Sequence, residues 1–141
     1  MSFTKPWRNL PLPAGLETKV PVLDVYLRTR NGRRVRGAFV VDSGADISMG
    51  PRRLCDLLGL VWESGQSIEL HGISPREECR VPGMIHSVEI SVREARCRIT
   101  IPFCFADGDA PTLLGREGFF DAFRIQFDKR RLITVFELMT A

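Results

Sequence analysis

Asp42-Ser43-Gly44-Ala45 is the stretch in which this chain puts a reactive side chain on a turn of very small residues. The apolar run Ala38-Phe39-Val40-Val41 leads straight into it, and a short helical pattern starts near Pro51. Such a run reads as a strand buried on both faces. A carboxylate at its end is costly unless something offsets the cost. Three roles would do so. Asp42 and Ser43 could satisfy the backbone amides of a turn. Asp42 could ligate a metal, although no His, Cys or carboxylate set of recognisable spacing surrounds it. Or Asp42 could be half of a carboxylate pair that shares a proton and activates water.

Other reactive side chains offer less. No two of Cys55, Cys79, Cys97 and Cys104 have zinc-site spacing, and neither His71 nor His86 pairs with a cysteine. No metal or cofactor is therefore expected. Cys55 sits among Leu54, Leu57 and Leu58, while Cys97 and Cys104 lie in a strand pattern, so these read as core or strand residues. Cys79 stays open. Arg28, Arg30, Arg33, Arg34 and Arg36 crowd around Asn31-Gly32. They read either as an acidic-partner or nucleic-acid patch or as a solvated hairpin tip. No aromatic residue is interleaved to stack on bases, so nucleic acid is not an expected partner.

The bulk numbers fit a globular protein. The 141 residues suit one domain. With 44% hydrophobic and 26% charged residues, the chain has enough apolar side chain for a core. No apolar stretch approaches the ~20 residues of a membrane span. The first fifteen residues lack the apolar centre of an export signal, roughly 7–15 residues long. The expectation is cytoplasmic, with no membrane partner and no disulfides.

The elements that must position Asp42 come next. Residues 1–19 show no period and read as an N-terminal extended arm; residues 20–141 read as the functional domain. Residues 20–29 alternate as a half-buried strand. Asn31-Gly32 is a hairpin signal, returning the chain as Arg34 to Val41. Ser48 to Leu60 reads as a short helix, with Pro51 in its first turn, Gly59 at its cap and Leu54, Leu57 and Leu58 on one face. Residues 66–70 read weakly as a strand, and His71 to Gly83 as a loop. Residues 87–92 and 97–105 alternate as a hairpin pair, the second with Ile99, Ile101, Phe103 and Phe105 opposite Arg98, Thr100 and Cys104. After Leu113-Leu114-Gly115-Arg116 come a short helix-like piece, Glu117 to Ala122, and two closing strands. Many strands with one or two short helices indicate a mainly β barrel or sandwich.

Three separated features of this order resemble the retropepsin-like (retroviral-type) aspartic proteases. They are a strand ending in Asp42 to Ala45 followed by Asp46, a glycine-containing segment around Gly72, and Leu113-Leu114-Gly115-Arg116 near the end. The stretch Ile47 to Leu60 is more like the cellular and bacterial branch than the viral enzymes. The resemblance implies a closed β-barrel, one lobe per chain, working as a homodimeric aspartic endopeptidase on a peptide or protein substrate. Asp107-Gly108 and Asp121 lack the motif's sequel, so the second carboxylate must come from Asp42 of another copy.

Residue by residue, the resemblance implies Asp42 as the catalytic group. Gly44, Ala45 and Asp46 would lie against substrate, with Gly72 and Ile73 in a lid over it. Ser43, Leu114, Gly115 and Arg116 would support the site, with Ser43 bonding across the two-fold and Asp46 pairing with Arg116. The alternative expectation is a catalytically weak dimerisation or peptide-binding module of the same fold.

Overall fold

The computed structural model describes residues 1–11, 17–70 and 81–139. Strands β1 (Ser2–Pro6), β2 (Arg8–Pro11) and β3 (Glu17–Val20) precede the hairpin of β4 (Val22–Arg28) and β5 (Arg34–Val41). The hairpin forms as expected, but through a longer loop than a two-residue turn: the Thr29 N–H donates to the Arg33 carbonyl at 2.8 Å, and positive φ falls on Gly32 (+85°) and not on Asn31. Leu23, Val25 and Leu27 point into the core on alternate positions of β4. After Asp42 come β6 (Ser48–Pro51), α1 (Arg52–Leu57) and β7 (Gln66–Leu70). The long hairpin of β8 (Val81–Val92) and β9 (Cys97–Ala106) follows, then β10 (Leu113–Leu114), β11 (Phe123–Asp128) and β12 (Ile133–Leu138).

One sheet of seven strands, in the order β4-β5-β10-β6-β9-β8-β7, holds the site. It curls until β4 also meets β8, with Tyr26 opposite Ser91 and Leu27 opposite Ile90. The chain is thus mainly β, as expected; among the described residues β7 pairs with β8 alone. Inside the curl lie Phe39, Phe103, Phe105, Leu23, Ile90 and Leu114, all essentially inaccessible to solvent. Phe39 meets Phe103 edge-on at 5.9 Å between ring centres.

The first residues join a second sheet, β1-β12-β11. Phe3 stacks on Phe136 at 4.9 Å, and the Trp7 Nε1–H donates to Thr134 Oγ1 at 2.8 Å. Asp24 accepts from both Arg8 and Arg36, tying β2 to the main sheet. Burial alone raises the Asp24 carboxyl, but the two guanidinium bonds outweigh it and hold it below the usual aspartate range. That clip is complete above the ordinary aspartate pKa and is lost as pH falls through the lowered value.

Five local expectations change. Ala38 is exposed, so β5 buries Phe39 and Val41 on one face only; the curled sheet covers just its inner side. Ser48 to Pro51 is not helix but a fully buried strand, because it lies between β10 and β9. In the helix after it, Cys55 and Leu58 face the core and Leu57 stands 62% exposed. Cys104 is buried, not outward, in a second apolar layer with Met49, Leu70 and Ala106. Glu117 to Ala122 is not a regular helix: extended ψ at Glu117 and φ +83° at Gly118 break its first turn. An added Cβ at Gly118 would also lie 2.6 Å from Ile101, so the chain passes too close to β9 for any side chain there.

Candidate active site

Asp42 follows the last residue of β5, where β10 runs parallel beside it, pairing Leu113 with Val40 and Leu114 with Val41. The Asp42 N–H donates to the Leu114 carbonyl at 2.9 Å, so the acid's backbone is fixed by the strand slotted between β5 and β6. Its side chain is half-buried. Oδ1 accepts the Gly44 N–H at 2.9 Å, which is the turn-satisfying role expected of such an Asp. Among the described residues, Oδ2 has no hydrogen bond. One oxygen is therefore held, and the other keeps its hydrogen-bonding capacity. An added Cβ at Gly44 would stand 3.2 Å from Oδ1, so this glycine keeps space beside the carboxylate.

The turn is braced from below. The Ala45 N–H returns to the Asp42 carbonyl at 3.2 Å. The Arg116 and Glu117 N–H groups donate to the Ala45 and Asp46 carbonyls, each at 2.9 Å. Arg116 Nη1 donates to the Ser43 carbonyl at 2.9 Å, and its Nη2 bonds Asp46 Oδ1, the ion pair expected between these residues. The Asp46 side chain is 84% exposed, so the pair by itself stabilises little; its effect is to orient the turn. Removing the guanidinium with Arg116→Ala is expected to cost about 1–2 kcal/mol in thermal unfolding, from a lost charged hydrogen bond and a weak ion pair. Unchanged melting would contradict this bracing role.

Gly115 has the tightest surroundings in the site. An ideal Cβ there would lie 2.5 Å from the Ile47 carbonyl carbon, 2.6 Å from its oxygen and 2.9 Å from the Ala45 oxygen. Two supporting residues were not legible as such in the sequence. Ser48, fully buried, accepts the Gly115 N–H on its Oγ at 3.0 Å. Thr112 Oγ1 donates to the Ala38 carbonyl at 2.8 Å while its own carbonyl accepts the Val40 N–H. A small polar residue in an otherwise apolar buried stretch, as in Ser48-Met49-Gly50-Pro51, was the one available signal, since a buried hydroxyl needs a partner.

Asp42, Ser43, Gly44, Ala45, Asp46, Leu114, Gly115 and Arg116 are thus in one place. Ser43 and Gly44 are exposed, and among the described residues the Ser43 hydroxyl has no partner. Gly72 and Ile73 lie outside the described residues. Burial pushes the thiols of Cys55 and Cys97 up, and that of Cys104 up to about 11, so these cysteines stay protonated at neutral pH and are poor nucleophiles. Among the described residues, no group of three or more His, Cys, Asp or Glu is placed to hold a metal ion. No helix among them is long and apolar enough to cross a membrane.

No protein-family model matches the chain, and no curated protein matches it either. Among solved structures, it is similar to the crystal structure of a retropepsin-like aspartic protease from Rickettsia conorii. The two share 13% sequence identity with a TM-score of 0.63, over 96% of this chain and 98% of the other. At that identity the likeness establishes the fold and nothing finer.

Proposed function

We propose that this chain is one half of a homodimeric aspartic endopeptidase, with a water activated between the Asp42 carboxylates of two copies. The observation that carries the reading is the state of Asp42. It sits half-buried on a turn fixed from β10, with Oδ1 held by Gly44 and Oδ2 without a hydrogen bond among the described residues. The retropepsin-like fold of the neighbour supports it.

The chemistry follows from like charges. Two carboxylates close enough to share one water cannot both ionise, so the pair holds one proton. The charged member takes a proton from water as it attacks the peptide carbonyl. The protonated member donates to the carbonyl oxygen, stabilising the charge that develops there. Ser43, exposed and without a partner among the described residues, would bond across the two-fold. Ala45 and Asp46 lie beside the substrate path, and Gly72 and Ile73 are the proposed lid. The same reading has the enzyme acting in the cytoplasm.

A fluorogenic peptide library, digested at falling enzyme concentration and followed in parallel by sedimentation, tests the shared site. Cleavage per chain is expected to fall as the dimer dissociates. Constant activity per chain in a monomeric preparation would remove the reading. A dimer that binds peptides without cutting them would leave only the binding module.

A further inference from the structure

The arginines of this chain are sorted. Arg8, Arg28, Arg36, Arg52, Arg53, Arg116 and Arg124 each have a carboxylate within ion-pair distance. Arg30, Arg33, Arg34, Arg93, Arg96, Arg98, Arg130 and Arg131 are exposed and have none among the described residues; Arg93 lies over the Tyr26 ring and Arg130 and Arg131 lie between β11 and β12, which leaves Arg30, Arg33, Arg34, Arg96 and Arg98. These five fall at the β4–β5 tip (Arg30, Arg33 and Arg34) and at the β8–β9 turn (Arg96 and Arg98), and Arg34 reaches both groups. Arg30, Arg33 and Arg34 line a concavity of about 630 Å³ with Val35, Leu57 and Leu58. Arg34 also lines the adjoining concavity with Arg93, Arg96 and Arg98. The eight residues of β5 separate Arg34 from Asp42, roughly 25 Å along the strand.

Two of these arginines stand where stability favours something else. Arg34 lies directly opposite Arg28 in the β4–β5 register, a like-charge pair that works against the hairpin. Arg96 takes φ +48° in the turn between β8 and β9, a position suited to Gly or Asn. Local choices made against stability point to a use for the residue. Beside them Leu57, 62% exposed, leaves an apolar floor open to solvent.

We infer that the surface of the two concavities that meet at Arg34 is a docking surface for an acidic, leucine-bearing segment of a partner polypeptide. Carboxylates would pair with Arg30, Arg33, Arg34, Arg96 and Arg98, and apolar side chains would lie on Val35 and Leu57. The fork of a guanidinium matches a carboxylate in two parallel bonds. An apolar floor with no aromatic side chain favours a peptide over stacked bases. The inference does not depend on the catalytic reading.

Fluorescence anisotropy tests it with a labelled synthetic peptide of glutamates interspersed with leucines. The competitors are an all-glutamate peptide, a lysine-for-glutamate copy and a single-stranded DNA, the first and last of equal charge. The glutamate–leucine peptide is expected to bind tightest, and more weakly as salt rises. Arg33→Gln with Arg34→Gln, on exposed positions, should weaken it about tenfold. Arg34→Glu should abolish binding while raising the melting temperature, because it removes the like-charge pair. No binding, equal binding by the double variant, or tighter binding of the DNA would overturn the assignment. Equal binding of the all-glutamate peptide would overturn its apolar half, and a lower melting temperature for Arg34→Glu would overturn the claim that Arg34 stands there against stability.

Discussion

Asp42→Asn is expected to reduce peptide hydrolysis by at least about 10³-fold while leaving the fold intact. The substitution is nearly isosteric. Asn keeps an Oδ1 to accept the Gly44 N–H, and the Asp42 backbone bond to Leu114 is untouched. Stability should therefore change by no more than about 0.5 kcal/mol. The chemistry loses more than one group, because in a symmetric dimer one substitution removes both the base and the acid. An amide can neither take the proton from water nor hold the proton that the pair shares. The native chain should cleave along a bell-shaped pH profile, whose two limbs report the paired carboxylates together and not either one alone. Residual cleavage by the Asn form at more than about a tenth of the native rate would assign the activity to something else.

The second large effect is on the scaffold. Gly115→Ala is expected to cost about 3 kcal/mol or more, a large share of the roughly 5–15 kcal/mol that holds a domain folded. The added methyl would meet backbone atoms of Ile47 and Ala45, which no rotamer change can move aside. Relief requires the turn carrying Asp42 to shift away from β10. Such a shift would also lengthen the Gly115 to Ser48 bond and the Arg116 N–H to Ala45 bond, both of which cross the same gap. If part of the population still folds, its activity should fall further than its folded fraction, since a misplacement of about 1 Å in a catalytic group costs on the order of 10²-fold. Denaturant unfolding with an unchanged midpoint would show that the loop yields easily, contrary to the contacts described.

What was legible in the sequence follows from how local each cause is. The β4–β5 hairpin could be read because Asn31-Gly32 and the alternation of Leu23, Val25 and Leu27 act over a few residues. The β8–β9 hairpin was readable for the same reason. The strand Ser48–Pro51 was not. It is four residues long, buried on all of them, and made a strand only by β9 and β10, which lie over fifty residues away in sequence. Ser2–Pro6 has no readable period either; its partner is β12 at the other end of the chain. Cys104 pointed the wrong way in the alternating pattern because β9 has apolar layers on both faces at that end. Asp42 to Asp46 and Leu113 to Arg116 could be paired from the sequence through their order and residue types. The braces from Ser48 and Thr112 could not, since a hydroxyl shows its partner only once the strands are placed.

The central claim is that each site takes one Asp42 from each of two chains, and subunit mixing tests it most directly. Native chain at fixed amount is mixed with increasing Asp42→Asn chain, allowed to exchange, and assayed on the same fluorogenic peptides. If the carboxylates are shared, native chains are drawn into mixed dimers with one acid each. Activity per native chain then falls to about half at equal amounts and towards zero in excess. Activity per native chain that stays constant at every ratio, with exchange demonstrated, would mean that one chain carries a complete site.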